Sequence, residues 1–286
     1  MTSISQLPSD YQKYLDQTLY HYPRKEALAS TLYSKLPGDS ADTTYEYVQL
    51  QQSYAAATGW TGFEAPETLA DGVNPETKSM GTVDATATVS THAEAYRILR
   101  KLETSSKPIV RSLLQQHAVE AVERIKVATN NTLVANMLSN ASQSYSASNT
   151  WSSSSGDPFG DLVTAKASFK DASGGVDADF LILHTNEWAD LQQDERWVSR
   201  DYTDSRPADT GTITARPLGL DVLVDTACTT GSFVLGKKGM FGQMFVTEDY
   251  VTKSETNLAV GTEYAVVYSY IDAYPLSYML MAGSGI

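Results

Sequence analysis

The sequence lacks the features of several common protein classes. It contains one cysteine, Cys228, so it can form neither an internal disulfide nor a cysteine-rich metal site. No stretch approaches the ~18 apolar residues that a membrane-spanning helix needs. Residues 1–8 have neither the basic start nor the apolar core of a signal peptide. These absences predict a chain that is made and assembled in a cytoplasm, without a membrane partner.

Basic residues are also scarce. The chain has 21 Lys and Arg against 34 Asp and Glu, which gives a formal net charge of −13. Because phosphate contacts need Lys and Arg, the average charge is unsuited to holding nucleic acid, although a local basic patch is compatible with it. The acidity favours solubility; adaptation of the protein to a salty cytoplasm is the alternative interpretation.

Residues that catalyse reactions or bind metals do not cluster in the sequence. The histidines His21, His92, His117 and His184 are scattered and have no metal-ligand spacing. His117 falls on the apolar side of a predicted helix, which favours a core histidine over a ligand. His184 ends a predicted strand, where a catalytic base could lie, but no Gly-x-Ser-x-Gly nucleophile motif accompanies it. We therefore expect no catalytic residue.

Two carboxylate pairs and one glycine-rich turn are the other candidates for a binding site. Asp157 with Asp161, and Asp201 with Asp204, lack the ligand count and the glycine of a calcium loop. The segment Gly236-Lys-Lys-Gly239 lacks the full phosphate-binding motif, which predicts a tight turn instead. We expect neither a metal nor a cofactor.

The first third of the chain predicts an arm followed by a long ribbon. Residues 1–44 contain two short helical patches, 11–19 and 24–36, which are too short to be stable alone and are expected to pack on neighbouring subunits. Residues 45–51 and 81–90 alternate like strands, and the stretch between them is rich in Gly and Pro. They predict an extended hairpin reaching roughly 30 Å. Because a two-stranded ribbon is marginal in water, it should need a partner surface.

A long helix and a connector follow. Apolar residues recur at steps of three and four from Pro108 to Leu138, including Ala121, Ile125 and Met137, which predicts a helix of about 45 Å. Pro108 suits its first turn. The Ser- and Asn-rich tract 139–156 predicts a flexible boundary between two subdomains.

The second half predicts an α/β segment. A helix over 161–170, a strand over 179–184 and a helix from Thr185 to about Asp194 are followed by strand pieces at 210–214, 220–225, 232–235 and 264–270. Five of the 17 tyrosines crowd the last part of the chain, namely Tyr264, Tyr268, Tyr270, Tyr274 and Tyr278. They fit either an interface or a core, and both interpretations stay open.

This order of elements resembles the major capsid proteins with the HK97 fold, which form the shells of tailed viruses and of encapsulin compartments. The most specific segments are Ala178–Leu191 and Arg216–Val224. The resemblance implies an α+β fold with an N-terminal arm (1–44), an extended hairpin or E-loop (45–90), a P-domain with the spine helix (91–150 and 244–286) and an A-domain (151–243). It also implies inter-subunit contacts at Trp60, Phe63, Tyr45 and Tyr47.

The function implied by the resemblance is that of a structural protein and not of an enzyme. The chain is expected to form pentamers and hexamers of an icosahedral capsid around double-stranded DNA, in the virion of a tailed and possibly archaeal or haloarchaeal virus. The expected partners are a portal and a separate scaffold or minor capsid proteins. The alternatives are an encapsulin shell protein, an α/β enzyme using His184, and a surface-layer or tail protein.

Overall fold

The computed structural model describes residues 28–39, 41–50, 53–55, 59–61, 82–99, 108–194, 196, 217–257 and 261–286. Within these ranges a long helix and two shorter ones pack on a four-stranded and a five-stranded sheet, accompanied by two two-stranded ribbons. This confirms the predicted α+β class. The predicted helical patch at 11–19 and the strand at 210–214 lie outside the described residues, as do His21, Asp201 and Asp204.

Helix α1 (Pro108–Asn140) is the predicted spine. Its 33 residues span about 50 Å. The predicted apolar positions Ala121, Ile125 and Met137 are buried against the sheets. The helix ends where Ser139 Oγ and Asn140 Nδ2 both donate to the carbonyl oxygen of Asn136, at 3.1 and 2.9 Å. These side chains add hydrogen bonds to a carbonyl at the start of the last turn.

The prediction of a core position for His117 is wrong. Its side chain is 56% exposed, and Nδ1 lies 3.9 Å from a carboxylate oxygen of Glu120. Its ring stacks on Tyr96 at 6.1 Å between centroids. The neighbouring Ala118 is fully buried, so the apolar stripe of α1 is centred on Ala118 and leaves His117 at its edge.

The four-stranded sheet has the order β1 (Ser34–Pro37), β11 (Gln243–Asn257), β12 (Gly261–Ala273) and β6 (Ser90–Leu99). β12 pairs antiparallel with both β11 and β6, whereas β1 joins β11 in parallel. Tyr264, Tyr268 and Tyr270 alternate along β12 and are all buried in the main core. The core interpretation of these three tyrosines is therefore confirmed.

Strand β11 contains a bulge near its middle. Its register with β12 shifts between Val246 and Glu248 and again between Glu248 and Val251. Within the bulge, Tyr250 has a φ of +52°, which is unusual for a residue with a side chain. Its ring stacks on Tyr268 at 4.7 Å, so packing in the core holds this left-handed conformation in place.

The five-stranded sheet has the order β7 (Gln143–Ser146), β13 (Leu280–Ser284), β10 (Ser232–Gly236), β8 (Phe180–Leu183) and β9 (Asp221–Val224). Strands β8, β9 and β10 lie where they were predicted. All four residues of β8 are buried, as expected for a strand covered on both faces.

Two cross-strand pairs in this sheet join a phenylalanine to a glycine. Phe233 faces Gly283 across β10 and β13, and Phe180 faces Gly236 across β8 and β10. A Cβ atom at Gly283 would lie 2.0 Å from the Phe233 ring, and one at Gly236 would lie 2.8 Å from the Phe180 ring. The aromatic rings thus occupy the space that a side chain would fill, which requires glycine at both positions.

Strand β7 corrects the prediction of a wholly flexible connector over 139–156. β7 pairs in parallel with β13. Tyr145 is half-buried and packs against Phe233 at 6.1 Å, and Trp151 is buried in the core. The local Ser and Asn content predicts a loop, but backbone bonds to a strand more than 130 residues away decide the conformation.

Helices α2 (Pro158–Ala172) and α3 (Thr185–Gln193) match the two predicted helices. Asp157 caps α2 by accepting the Gly160 N–H at 2.8 Å, and Pro158 occupies the first turn. His184 caps α3 by accepting the Asn186 N–H on Nδ1 at 3.2 Å.

The part of the N-terminal arm that is described packs on its own chain. Residues Leu28–Leu32 form a 3-10 helix, and β1 follows it, so the helix predicted over 24–36 is wrong in this part. Ala29, Leu32 and Tyr33 are buried in the main core. Leu28 and Leu36 are exposed, at 47% and 38%, and packing of the arm on neighbouring subunits stays a prediction.

Sheet membership does not follow the predicted domain boundaries. β7 and β13 come from the two segments assigned to the P-domain, yet both belong to the sheet of the A-domain segment. β1 comes from the arm and joins the sheet of the P-domain. The chain thus crosses between the two sheets more often than the linear division implies.

Candidate inter-subunit surfaces

The predicted hairpin is present at its base. β2 (Thr44–Leu50) pairs antiparallel with β5 (Thr82–Thr88), with Tyr45 opposite Ala87 and Tyr47 opposite Ala85. Directly opposed residues share a face, so Tyr45 and Tyr47 line one side of the ribbon. The alternation in the sequence predicted this pairing correctly.

The face bearing the two tyrosines lies on the body of the same chain. The Tyr45 ring packs on Phe245 of β11 at 4.3 Å, and it stacks on Tyr47 at 6.2 Å. Ala87, Ile271 and Ala273 complete this small cluster. The ribbon base therefore has a core of its own, which corrects the expectation that the ribbon depends on a neighbour alone. Both tyrosines remain partly exposed, and their role between subunits stays a prediction.

The opposite face of the ribbon is open. Glu46 and Val48 point away from the body, with Asp84 directly opposite Val48 on β5. Val48 is 52% exposed, an apolar side chain between carboxylates. This surface can bury one valine against a partner, and its acidic rim favours a partner with basic or hydrogen-bonding groups.

The other two predicted contact residues lie further along the hairpin. Trp60 belongs to β4 (Gly59–Thr61), where it is paired with Tyr54 of β3 (Ser53–Ala55). Phe63 lies outside the described residues. The side chain of Trp60 also lies outside what the structure describes, so its contact between subunits stays a prediction.

The spine helix presents a second open surface. Glu120, Glu123, Arg124 and Val127 lie on its exposed side. Arg124 pairs with Glu94 of β6 at 2.8 Å, which ties the helix surface to the edge of the sheet. Val127 is 61% exposed. As in the ribbon, a single valine lies amid charged groups.

A buried chain of hydroxyl and carboxylate groups fixes the arm to the body. The Tyr33 and Tyr274 hydroxyls lie 2.6 Å apart, and Tyr274 also donates to Asp272 at 3.0 Å. Asn136 of α1 donates to the same Asp272 oxygen at 2.9 Å. Burial, and then the Asp272 charge, raises the pKa of Tyr33 well above its usual value. The two tyrosines therefore stay protonated and keep their hydrogen bonds.

Asn130 makes a second link between the arm, the spine and the second sheet. Its Oδ1 accepts the N–H of Ala29 at 3.0 Å, and its Nδ2 donates to Asp225 at the end of β9. Asn130 is 9% exposed. Asn130 begins a glycosylation sequence motif, but its amide is engaged inside the protein, which agrees with a coincidental match.

The Asp157 and Asp161 carboxylates have separate structural tasks. Asp161 accepts hydrogen bonds from Tyr145 Oη at 2.7 Å and from Trp151 Nε1 at 2.9 Å. Burial, with Asp161 beside it, raises the pKa of Tyr145 to about 12. Arg196 bonds to Asp157 and Asp194, and these bonds lower the pKa of both carboxyl groups.

The glycine-lysine segment forms the predicted tight turn. The N–H of Met240 donates to the carbonyl of Lys237 at 3.3 Å, and Gly239 has a φ of +71°. Lys237 pairs with Asp179 at 3.0 Å. The N–H of Gly239 donates to the carbonyl of Leu32 at 2.7 Å, so the turn also holds the arm.

Cys228 is buried, and its environment suppresses the thiolate. Burial, followed by the charges of Glu187 and Asp225, raises the pKa of its thiol to about 12. A thiol that keeps its proton is a poor nucleophile and a poor metal ligand.

Within the described ranges, no group of three or more His, Cys, Asp or Glu side chains is arranged to hold a metal ion. Helices in the described part of the chain are too short or too polar to cross a membrane.

Solved structures share the overall fold of this chain. A chain in the capsid of a native GTA particle is 11% identical and has a TM-score of 0.65, with 91% of this chain and 90% of that one covered. A Mycobacterium phage Che8 chain is 9% identical with a TM-score of 0.62, covering 90% and 91%. A virus-like particle from Pyrococcus furiosus is 10% identical with a TM-score of 0.57, covering 96% and 98%. None of the curated proteins matches the chain.

The fold is therefore that of the HK97-like shell proteins. A family model described as phage capsid protein matches residues 81–276, which is more than half of the chain. The chain belongs to this phage capsid protein family, whose members are structural proteins, and it is a major capsid shell protein.

Sequence reasoning missed several of the residues that define these surfaces. Glu46 and Val48 form the open face of the ribbon. The alternation of residues 45–50 could have identified them, because residues that alternate with the inward-facing Tyr45 and Tyr47 must point outward. Asn130 and Tyr33 gave no local signal, since their partners lie far away in the sequence.

Proposed function

We propose that this chain self-assembles into pentamers and hexamers that close an icosahedral capsid around double-stranded DNA. The match of the phage capsid family model over residues 81–276 carries the proposal. It is supported by a fold that leaves a ribbon face and a helix face open. The capsid is part of the virion, is assembled in the host cytoplasm and works with a portal and with scaffold or minor capsid proteins. The chain has no catalytic step of its own.

An encapsulin-type compartment is the second candidate. The likeness to the virus-like particle from Pyrococcus furiosus, which covers 96% of this chain and 98% of that one, favours it. The two candidates share the shell and differ in its contents, packaged DNA in one case and protein cargo in the other.

Assembly and contents test the proposal. The purified full chain should elute as rings of five or six subunits or as closed shells, and negative-stain electron microscopy should show them. Particles from the natural source should contain DNA that resists nuclease until the shells are opened. Shells that hold protein cargo without DNA would support the compartment instead. A chain that remains a monomer at all concentrations would contradict both.

Substitutions in the hairpin test the predicted contacts. Trp60→Ala with Phe63→Ala should leave the melting temperature of the unassembled subunit unchanged while preventing closed shells, because aromatic anchors dominate interfaces. Tyr45→Ala is the contrasting variant. Its ring packs on Phe245 at 4.3 Å, so its loss should lower the melting temperature of the subunit as well. A large drop in melting temperature in the double variant would show that Trp60 and Phe63 belong to a core of the same chain.

The open valine gives a second, independent test. Val48→Gln should weaken assembly with little effect on subunit stability, because Val48 is 52% exposed in the single chain and glutamine adds no charge opposite Asp84. Val163→Gln is a matched control, since Val163 is 41% exposed and belongs to α2, outside the paired strands β2 and β5. Equal assembly of Val48→Gln and the wild type would remove the ribbon face from the proposed interface.

A further inference from the structure

The start of α3 contains a buried carboxylate that is only half satisfied. Glu187 is 3% exposed. Its Oε1 accepts the N–H of Gly231 at 2.6 Å. Its Oε2 has no hydrogen-bond partner among the residues that the structure describes. An unsatisfied buried carboxylate oxygen is costly, so this position needs an explanation.

The nearest basic group is the histidine that caps the helix. His184 Nδ1 lies 3.4 Å from Glu187 Oε2. The same Nδ1 accepts the N–H of Asn186 at 3.2 Å, which requires an unprotonated nitrogen. One nitrogen thus faces two partners and can serve only one of them: it accepts from Asn186 without a proton, or donates to Glu187 with one.

We propose that His184 and Glu187 form a single proton-binding site that switches the N-terminal cap of α3. Without the proton, Nδ1 caps the helix through Asn186 and Glu187 Oε2 stays unpaired. When one proton binds between Nδ1 and Oε2, the carboxylate gains its missing bond and Asn186 loses its cap. The proton comes from solvent, since the His184 side chain is 18% exposed. No other group is oxidised, reduced or transferred.

Three other titratable groups surround the pair. Asp190 follows on the same helix, and burial together with the Glu187 charge raises its pKa. Asp225 lies beside the end of β8, where its N–H donates to the carbonyl of Leu183 at 2.8 Å. Cys228 lies in the adjoining turn and stays a neutral thiol. Among the described residues, His184 is the one basic group within ion-pair distance of Glu187, so added positive charge reduces repulsion between carboxylates.

Two substitutions fix the switch in opposite positions. His184→Asn keeps a side-chain oxygen that can cap the helix and cannot titrate, because asparagine is among the best cap residues. Glu187→Gln keeps an oxygen for Gly231 and places an amide N–H group towards His184 Nδ1, which imitates the proton-bound state. Glu187→Gln keeps the size of the side chain, and His184→Asn puts a smaller polar side chain at a position that is 18% exposed, so both are expected to fold.

Hydrogen exchange of the first α3 amides, measured on the full chain from pH 5 to 8, tests the proposal. In the wild type, the protection of the Asn186 amide, corrected for intrinsic exchange, should be about fivefold lower at pH 5 than at pH 8. This factor corresponds to the loss of a helix cap that contributes ~1 kcal/mol. His184→Asn should be protected at every pH, and Glu187→Gln should be exposed at every pH. The histidine ring signals should change over the same pH range as the Asn186 amide. Equal protection of the wild type at both pH values, or an unaltered pH dependence in Glu187→Gln, would overturn the proposal.

Discussion

Replacing Asn130 with alanine tests the link between arm, spine and second sheet. The change removes the acceptor of the Ala29 N–H. Because Ala29 is 1% exposed, water cannot replace that acceptor. It also removes the Asn130 donor from the Asp225 carboxylate. That carboxylate still accepts a hydrogen bond from the N–H of Ala227 at 2.9 Å. A lost neutral hydrogen bond costs about 1 kcal/mol and a lost bond to a charged group about 1.5–3 kcal/mol. We therefore expect Asn130→Ala to lower the free energy of unfolding by about 2.5–4 kcal/mol.

Thermal unfolding of the unassembled subunit measures this loss. At roughly 2–4 °C per kcal/mol for a protein near this size, the melting temperature should fall by about 5–16 °C. Asn131→Ala is the matched control, because Asn131 follows on the same helix with an exposed side chain. It should change stability by less than about 0.5 kcal/mol. Equal melting temperatures for the two variants would refute the idea that Asn130 holds the arm to the body.

Three further changes test other contacts. Gly283→Ala should destabilise the subunit by about 3 kcal/mol or more, seen in thermal unfolding, because its Cβ would lie 2.0 Å from the Phe233 ring. Tyr33→Phe should cost about 1–1.5 kcal/mol by the same measurement, since it removes the 2.6 Å contact with the Tyr274 hydroxyl but keeps the ring. Arg196→Ala should lower the melting temperature slightly at pH 7, and this difference from the wild type should shrink as the pH falls below about 4, the ordinary pKa of an aspartate. The reason is that Arg196 depresses the folded-state pKa of Asp194, so its contribution is present above the unfolded pKa and is lost as the pH falls.

The elements that the sequence predicted correctly are those with local patterns. The spine helix repeats its apolar residues over many turns, and the predicted start at Pro108 is its first residue. The pairing of β2 with β5 follows from alternation in both strands. Strand β8 and helix α3 follow from an apolar run and a polar first turn. In each case the information lies within a dozen or so neighbouring residues.

The elements that the sequence did not predict depend on distant partners. β7 lies in a Ser-rich tract and exists because β13 offers it backbone partners. β1 pairs with β11 through Ser34 and Gln243, more than 200 residues apart. The candidate contact residues show the same limit. Tyr45 is of an amino-acid type that is common at interfaces. Its ring nevertheless packs within the subunit, on Phe245, which lies 200 residues further along the chain.

The contacts divide the residues of this shell protein into two groups with different roles. Asn130, Tyr33 and Tyr45 bind parts of one chain to each other, so the described body gains its stability before any neighbour arrives. Val48 and Val127 are more than half exposed and contribute little to that stability. Because burying an exposed valine against a partner is favourable only in the assembly, substitutions in the second group should change shell formation and not subunit folding. Substitutions in the first group should reduce the amount of folded subunit and affect shells only through that loss.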